Sequence, residues 1–147
     1  MNAKAMLSRG IILLMAVAAS CATTGAETGV PPEVTVSVIN FAPSTDIGIT
    51  TEVNFSVTNL TDRELTGLTL VVTANPSNGV DLPYEEKAID RIVPGGSWNP
   101  GPFVVRGRHA GSTAVFFTVM RDGVRLARDY TLVQVGNDDD GFIFVPF

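Results

Sequence analysis

Apolar and polar residues alternate along much of this chain with a period of two, the spacing of strands that bury one face and wet the other. The cleanest case is residues 49–59 (ITTEVNFSVTN), with Ile49, Thr51, Val53, Phe55 and Val57 on one side and Thr50, Glu52, Asn54, Ser56 and Thr58 on the other. A strand with one face in water favours an antiparallel sheet. Upstream, in VTVSVINF, Val34, Val36 and Val38 alternate with Thr35 and Ser37, and Pro43-Ser44-Thr45-Asp46 reads as a turn. Downstream, residues 65–74 (LTGLTLVVTA) turn Leu68, Leu70 and Val72 inward, and residues 75–79 (NPSNG) form a loop. Short strands are expected at 80–82 and 88–93, followed by a turn at Pro94-Gly95-Gly96-Ser97. Residues 98–106 contain Pro100 and Pro102, so pairing there starts only near Phe103, in an edge or bent strand.

The hairpin at 114–135 (AVFFTVMRDGVRLARDYTLVQV) is the most legible stretch. Asp122-Gly123 is the residue pair that a two-residue type I′ turn asks for, because both positions need φ > 0. With that loop, Val119 faces Leu126, Phe117 faces Arg128 and Val115 faces Tyr130. Val115, Phe117, Val119, Leu126, Tyr130 and Leu132 then line the inner face, with Phe116, Thr118, Arg125, Ala127 and Asp129 on the partly solvated one. Arg128 interrupts the inner row, which calls for a bulge near 127–129 or for an arginine that reaches out past the sheet end.

No segment keeps a 3.6-residue period, and Gly or Pro recurs about every ten residues. Roughly seven short strands at that spacing predict an all-β, immunoglobulin-like antiparallel β-sandwich. The Cys-Trp-Cys core of antibody domains is absent. The runs VNFSVTN at 53–59, GLTL at 67–70, IVPGGS at 92–97, Ala110-Gly111-Ser112 before a strand and Asp122-Gly123 before the last one together resemble the cell-adhesion-related domain found in bacteria. The resemblance covers residues 33–135. It implies that architecture and a non-catalytic, interaction-type role, and it transfers no binding residue.

The N-terminus changes the picture of where this sandwich works. Lys4 and Arg9 precede an uncharged run, GIILLMAVAAS at 10–20, as in a secretory signal. That run is shorter than the ~20 residues a membrane span needs. The sole cysteine follows at once in Ala18-Ala19-Ser20-Cys21, which resembles the lipobox of a bacterial lipoprotein precursor. The resemblance implies cleavage after Ser20 and a lipidated Cys21 that anchors the protein to a membrane of the cell envelope. The alternative is an ordinary signal peptide cut near Ala22. Residues 21–32 then read as a flexible tether.

Removing residues 1–20 leaves 8 basic residues against 15 acidic, a net charge of −7, which argues against nucleic acid as a partner. Arg106, Arg108, Arg121, Arg125 and Arg128 share 23 residues with a single acid, Asp122. This reads first as strand-face charge answering the acidic half, and second as an anion-binding surface.

Candidate chemistry is sparse. His109 is the only histidine and no Gly-x-Ser-x-Gly turn is present, so neither a multi-histidine metal site nor a nucleophile elbow forms. No enzyme activity, cofactor or metal is expected. Asn59-Leu60-Thr61 fits the N-glycosylation pattern. Trp98, in a Pro/Gly-rich turn, reads as a plug at the sandwich end or as an aromatic contact for protein or glycan. Residues 136–147 combine an acidic spacer with an apolar tail carrying Phe142, Phe144 and Phe147, which folds back on the domain, adds to a partner's sheet edge or enters lipid. The expected role is a lipid-anchored envelope accessory protein that binds or scaffolds another envelope protein through Trp98 or this tail. The alternative is a carbohydrate- or small-ligand-binding lipoprotein.

Overall fold

The structure, a computed structural model, describes residues 30–137. The early strands are β1 (Val34–Val38), β2 (Ser44–Asp46), β3 (Thr50–Val53), β4 (Phe55–Asn59) and β5 (Leu65–Asn75). There follow β6 (Val80–Asp81), β7 (Glu86–Ile92), β8 (Ser97–Trp98), β9 (Phe103–Gly107), β10 (Gly111–Arg121) and β11 (Val124–Gly136). They build a five-stranded sheet, β2-β11-β10-β5-β7, and two three-stranded ladders, β1-β4-β8 and β3-β9-β6. The strand pairs are antiparallel except β2–β11, which is parallel.

The two ladders share the run 50–59 and together cover the five-stranded sheet. Phe55 of β4 stacks on Phe117 of β10 at 4.3 Å between ring centroids, and Phe103 of β9 meets Phe117 edge-on at 5.3 Å. All three rings are fully buried, among Val53, Val57, Leu68, Leu70, Val72, Val115, Val119 and Val133. Burying one such side chain contributes about 1.5–3 kcal/mol, so this aromatic triad is the centre of the fold. Leu68, Leu70 and Val72 point inward as their alternation predicts.

Three strand assignments are corrected. The single strand at 49–59 is two strands in different ladders, which part at Asn54, and Ile49 is 55% exposed because pairing starts only at Thr50. The expected turn at Pro43–Asp46 is an edge strand: Gln134 N–H donates to the Pro43 carbonyl at 3.0 Å, and Thr45 pairs with Val135. The end of β11 would otherwise be an open edge, and this short strand caps it. Gly107 completes the closure, since a Cβ there would lie 2.6 Å from the Asp46 carbonyl oxygen and 2.8 Å from Val135. The segment 98–106 likewise splits into β8 and β9, with pairing of the second starting at Phe103 as its prolines require.

The hairpin turn is as expected, with Asp122 at φ 50° and Gly123 at φ 78°. Its register is not. Met120 pairs with Arg125, but Val119 pairs with Ala127, leaving Leu126 as a bulge one residue before the predicted zone. Every residue beyond it changes face: Thr131, Val133 and Val135 are buried, while Arg128 and Tyr130 face solvent. One extra residue therefore keeps the charge of Arg128 out of the core.

Candidate interaction surface

The bulge assembles the most chemically distinctive patch on the five-stranded sheet. In the observed register Phe116 lies opposite Tyr130, and Thr118 opposite Arg128. The Arg128 guanidinium sits 3.9 Å above the Phe116 ring, and the Phe116 and Tyr130 centroids are 5.6 Å apart. Tyr130 is 47% exposed and Phe116 half-buried. An exposed cation–π contact of this kind contributes about 0.5–1 kcal/mol.

A second exposed feature is the crossover between β1 and β2, residues 39–43. It presents Ile39 at 67% and Phe41 at 74% exposure. Asn40, between them, explains why. Its Nδ2 donates to the Glu52 carbonyl at 2.5 Å and its Oδ1 accepts from Asn54 N–H at 2.6 Å, while Ile39 N–H donates to the Asn54 carbonyl at 2.7 Å. The amide thus supplies the strand partner missing where β3 gives way to β4. Ala42, at φ 54°, donates its N–H to Thr131 Oγ1 at 3.1 Å, and the Asp129 carboxylate accepts from Val38 N–H at 2.9 Å. These bonds hold the crossover against β11 on either side of Tyr130, with Ile39 and Phe41 turned to water. The outer-face group of Arg128, Tyr130 and Phe116 has the composition of interface cores, whereas the crossover is bonded to Asp129 and Thr131, which belong to the opposite face of β11.

The arginines that cluster in sequence separate in space. Arg121 reaches Glu33 at 2.8 Å, and Arg63 reaches the same carboxylate at 2.6 Å. The hydrogen bond from Arg63, aided by Arg121 and opposed by partial desolvation, holds the Glu33 carboxyl below its ordinary value of 4.5. Arg108 pairs with Asp81 at 3.2 Å, and Arg106 Nε donates to the Gly48 carbonyl at 2.9 Å. Three of the five clustered arginines, Arg106, Arg108 and Arg121, therefore bind partners on neighbouring strands and loops, as strand-face charges do. His109 is exposed, with Nδ1 2.7 Å from the Asn78 carbonyl oxygen.

Asn59, the acceptor position of the glycosylation pattern, is 0% exposed. Its Nδ2 donates to the carbonyls of Arg63, Ile92 and Val93 at 2.7, 3.0 and 3.2 Å. Its Oδ1 accepts from the N–H and the hydroxyl of Thr61 at 2.8 and 2.7 Å. This amide belongs to the core and is closed to a glycan in the folded domain.

Trp98 is half-buried on β8, 6.4 Å from Phe55 and packed against the core. It lies on the β1-β4-β8 ladder, not on the sheet that carries Phe116 and Tyr130. Cys21, Phe142, Phe144, Phe147, the acids at 138–140, the signal segment and most of the tether lie outside the described residues. Among the described residues no group of three or more His, Cys, Asp or Glu side chains is placed to hold a metal ion. Ile39, Phe41, Phe116, Arg128 and Tyr130 were not predicted as a site. The only sequence signals were the apolar pair around Asn40 in INFAP and the arginine that spoils the inner row.

No family model and no curated protein matches the sequence. Solved structures do match in shape. The CARDB domain of a Pyrococcus furiosus protein superposes with a TM-score of 0.56 at 15% identity, covering 70% of this chain and 94% of that one. Residues 30–137 have an immunoglobulin-like β fold. A segment of Escherichia coli alpha-2-macroglobulin matches with a TM-score of 0.54 at 22% identity, over 71% of this chain and 7% of that much longer one. Red sea bream transglutaminase contributes a similar domain, with a TM-score of 0.53 at 17% identity over 72% of this chain and 15% of its own. Similar domains occur within larger proteins of different names, so the likeness establishes the fold alone.

Proposed function

We propose that this protein is a non-catalytic binding module of the cell envelope. In this reading it is cut after Ser20, lipidated on Cys21, and held off the membrane by the tether at 21–32. Two acyl chains suffice for a stable anchor at about 0.8 kcal/mol per buried methylene. The partner is another envelope protein, engaged through Ile39 and Phe41, with the separate outer-face group Phe116, Arg128 and Tyr130, Trp98 and the tail residues Phe142, Phe144 and Phe147 as further contacts. One observation carries the reading: two large apolar side chains, Ile39 and Phe41, are held in water by a network of hydrogen bonds rather than allowed to collapse. Apolar surface presented in this way supports docking, because burial against a partner returns ~25 cal/mol per Å².

The test is co-purification from detergent-solubilised envelopes. The double substitution Ile39→Asp/Phe41→Asp is expected to remove the captured partner while the circular dichroism spectrum stays that of the parent. Retention of the same partner would defeat the reading. Mass spectrometry of the mature N-terminus checks the anchor separately, with a diacylated Cys21 as the expected species and an unmodified terminus at Ala22 or Thr23 as the contrary one. A glycan-binding role is the second reading, favoured by the partly exposed Phe116–Tyr130 pair with Arg128 beside it. A glycan array with no signal removes it.

A further inference from the structure

The chain enters and leaves this domain at opposite ends of the sandwich. At the entry, Glu33 is bound by Arg121, the residue before the Asp122-Gly123 turn, so β1 starts beside the hairpin tip. At the exit, Val135 and Gly136 pair with Thr45 and Asp46. Between tip and exit lie the 13 residues of β11, roughly 40 Å of extended strand. The first segment therefore leads from the tip toward the exit, and β2 runs alongside β11 in the same direction.

Opposed pulling on the two ends of the domain acts on this parallel pair in a specific way. β2 is drawn back toward the tip while β11 is drawn forward, so the hydrogen bonds between them are strained sideways and together. In a hairpin pulled open from its end, by contrast, the bonds break one after another. β2 cannot simply slide, because the residues after it are tied to the other layer: Gly48 N–H donates to the Gly107 carbonyl at 2.8 Å, and Gly107 N–H to the Ile49 carbonyl at 3.0 Å. Gly136 fits tightly here as well, since a Cβ on it would fall 2.5 Å from Asp46 Oδ1. A second antiparallel patch, β1 on β4 over Val34 to Val38, is drawn along its own axis in the same way.

We infer that the domain has a further function: it carries mechanical tension between whatever holds its N-terminal end and whatever holds its C-terminal end, with the β2–β11 patch as the clamp. The inference rests on the proposed anchorage only for the source of the tension. The clamp itself is a property of the isolated protein and is measured without membrane or partner, so its failure and that of the anchorage are distinguishable.

The experiment is single-molecule force spectroscopy of the full chain in two attachments. One has handles at the two chain ends. The other moves the N-terminal handle to position 112, opposite Gln134, so that β10 and β11 are peeled apart. The expected result is a rupture force several-fold higher for end-to-end pulling, and equal forces would overturn the proposal. The substitution Gln134→Pro sharpens the test, because the Gln134 N–H points to Pro43 and its loss removes a β2 rung while sparing the β10 ladder. It should lower the end-to-end rupture force clearly in a domain whose circular dichroism is unchanged. An unchanged force in that folded variant would overturn the assignment of the clamp. Should the variant not fold, the comparison of the two attachments decides alone.

Discussion

Asn59 and Asn40 solve the same problem at two corners of the molecule with opposite consequences. Each stands where a strand ends or changes partners, and each uses its amide to satisfy backbone groups that no neighbouring strand reaches. Asn59 does so in the core, closing the end of β4 onto the carbonyls of Ile92, Val93 and Arg63. Asn40 does so at the surface, and the residues on either side of it, Ile39 and Phe41, end up in water. A buried amide of this kind maintains the fold. A half-buried one, like Asn40, maintains the presentation of its neighbours, which is why the second corner is the better candidate for function.

Substitutions should separate the corners by size of effect. Asn59→Ala leaves buried carbonyls without a donor and is expected to cost about 3 kcal/mol of unfolding free energy in urea titration. A loss below roughly 1 kcal/mol would mean that the two corners do not differ in kind. Asn40→Ala, whose backbone partners gain water in exchange, should cost about 1 kcal/mol and release the crossover, seen as faster amide exchange at Asn54 and Ala42.

Glu33→Gln tests a third polar contact, at the entry of the domain. Because the folded carboxyl titrates below the ordinary value of 4.5, Glu33 stabilises the fold above that pH and ceases to do so as pH falls through the lowered value. The variant should thus be slightly less stable than the parent near neutral pH and equal to it in strong acid. A gap that persists in acid would show that the loss is not electrostatic. Phe41→Ser should change stability least, within about 0.5 kcal/mol, while weakening partner capture. A clear destabilisation would mean that Phe41 packs on the domain and presents nothing.

Much of the fold was legible in local pattern. The turn at Asp122-Gly123, the inward Leu68, Leu70 and Val72, and the start of pairing at Phe103 each follow from a rule that involves a few neighbouring residues. The errors share a cause. Residues 49–59 alternate without a break, yet the strand changes ladder at Asn54, because alternation reports which face is buried and not which strand lies alongside. Arg128 announced an irregularity in β11, but its placement at Leu126 depended on which residues the opposite layer would accept. The candidate surface was invisible for the same reason: Tyr130 was assigned to the core, and it takes a one-residue shift to carry it to the face where Phe116 and Arg128 meet it.

By itself the sequence determined the layer architecture, the turns at Pro94-Gly95 and Asp122-Gly123 and most of the buried aliphatic positions, since period-two burial and φ > 0 are properties of short stretches. Only the tertiary structure decided the bulge at Leu126, the parallel seat of β2 on β11 and the outward turn of Ile39 and Phe41. The last two are settled by hydrogen bonds between residues dozens of positions apart, such as Ala42 with Thr131 and Gln134 with Pro43, and the bulge by which residues of β11 the core buries. No local pattern carries that information, because the partner of a backbone group is whichever strand the packed core brings next to it.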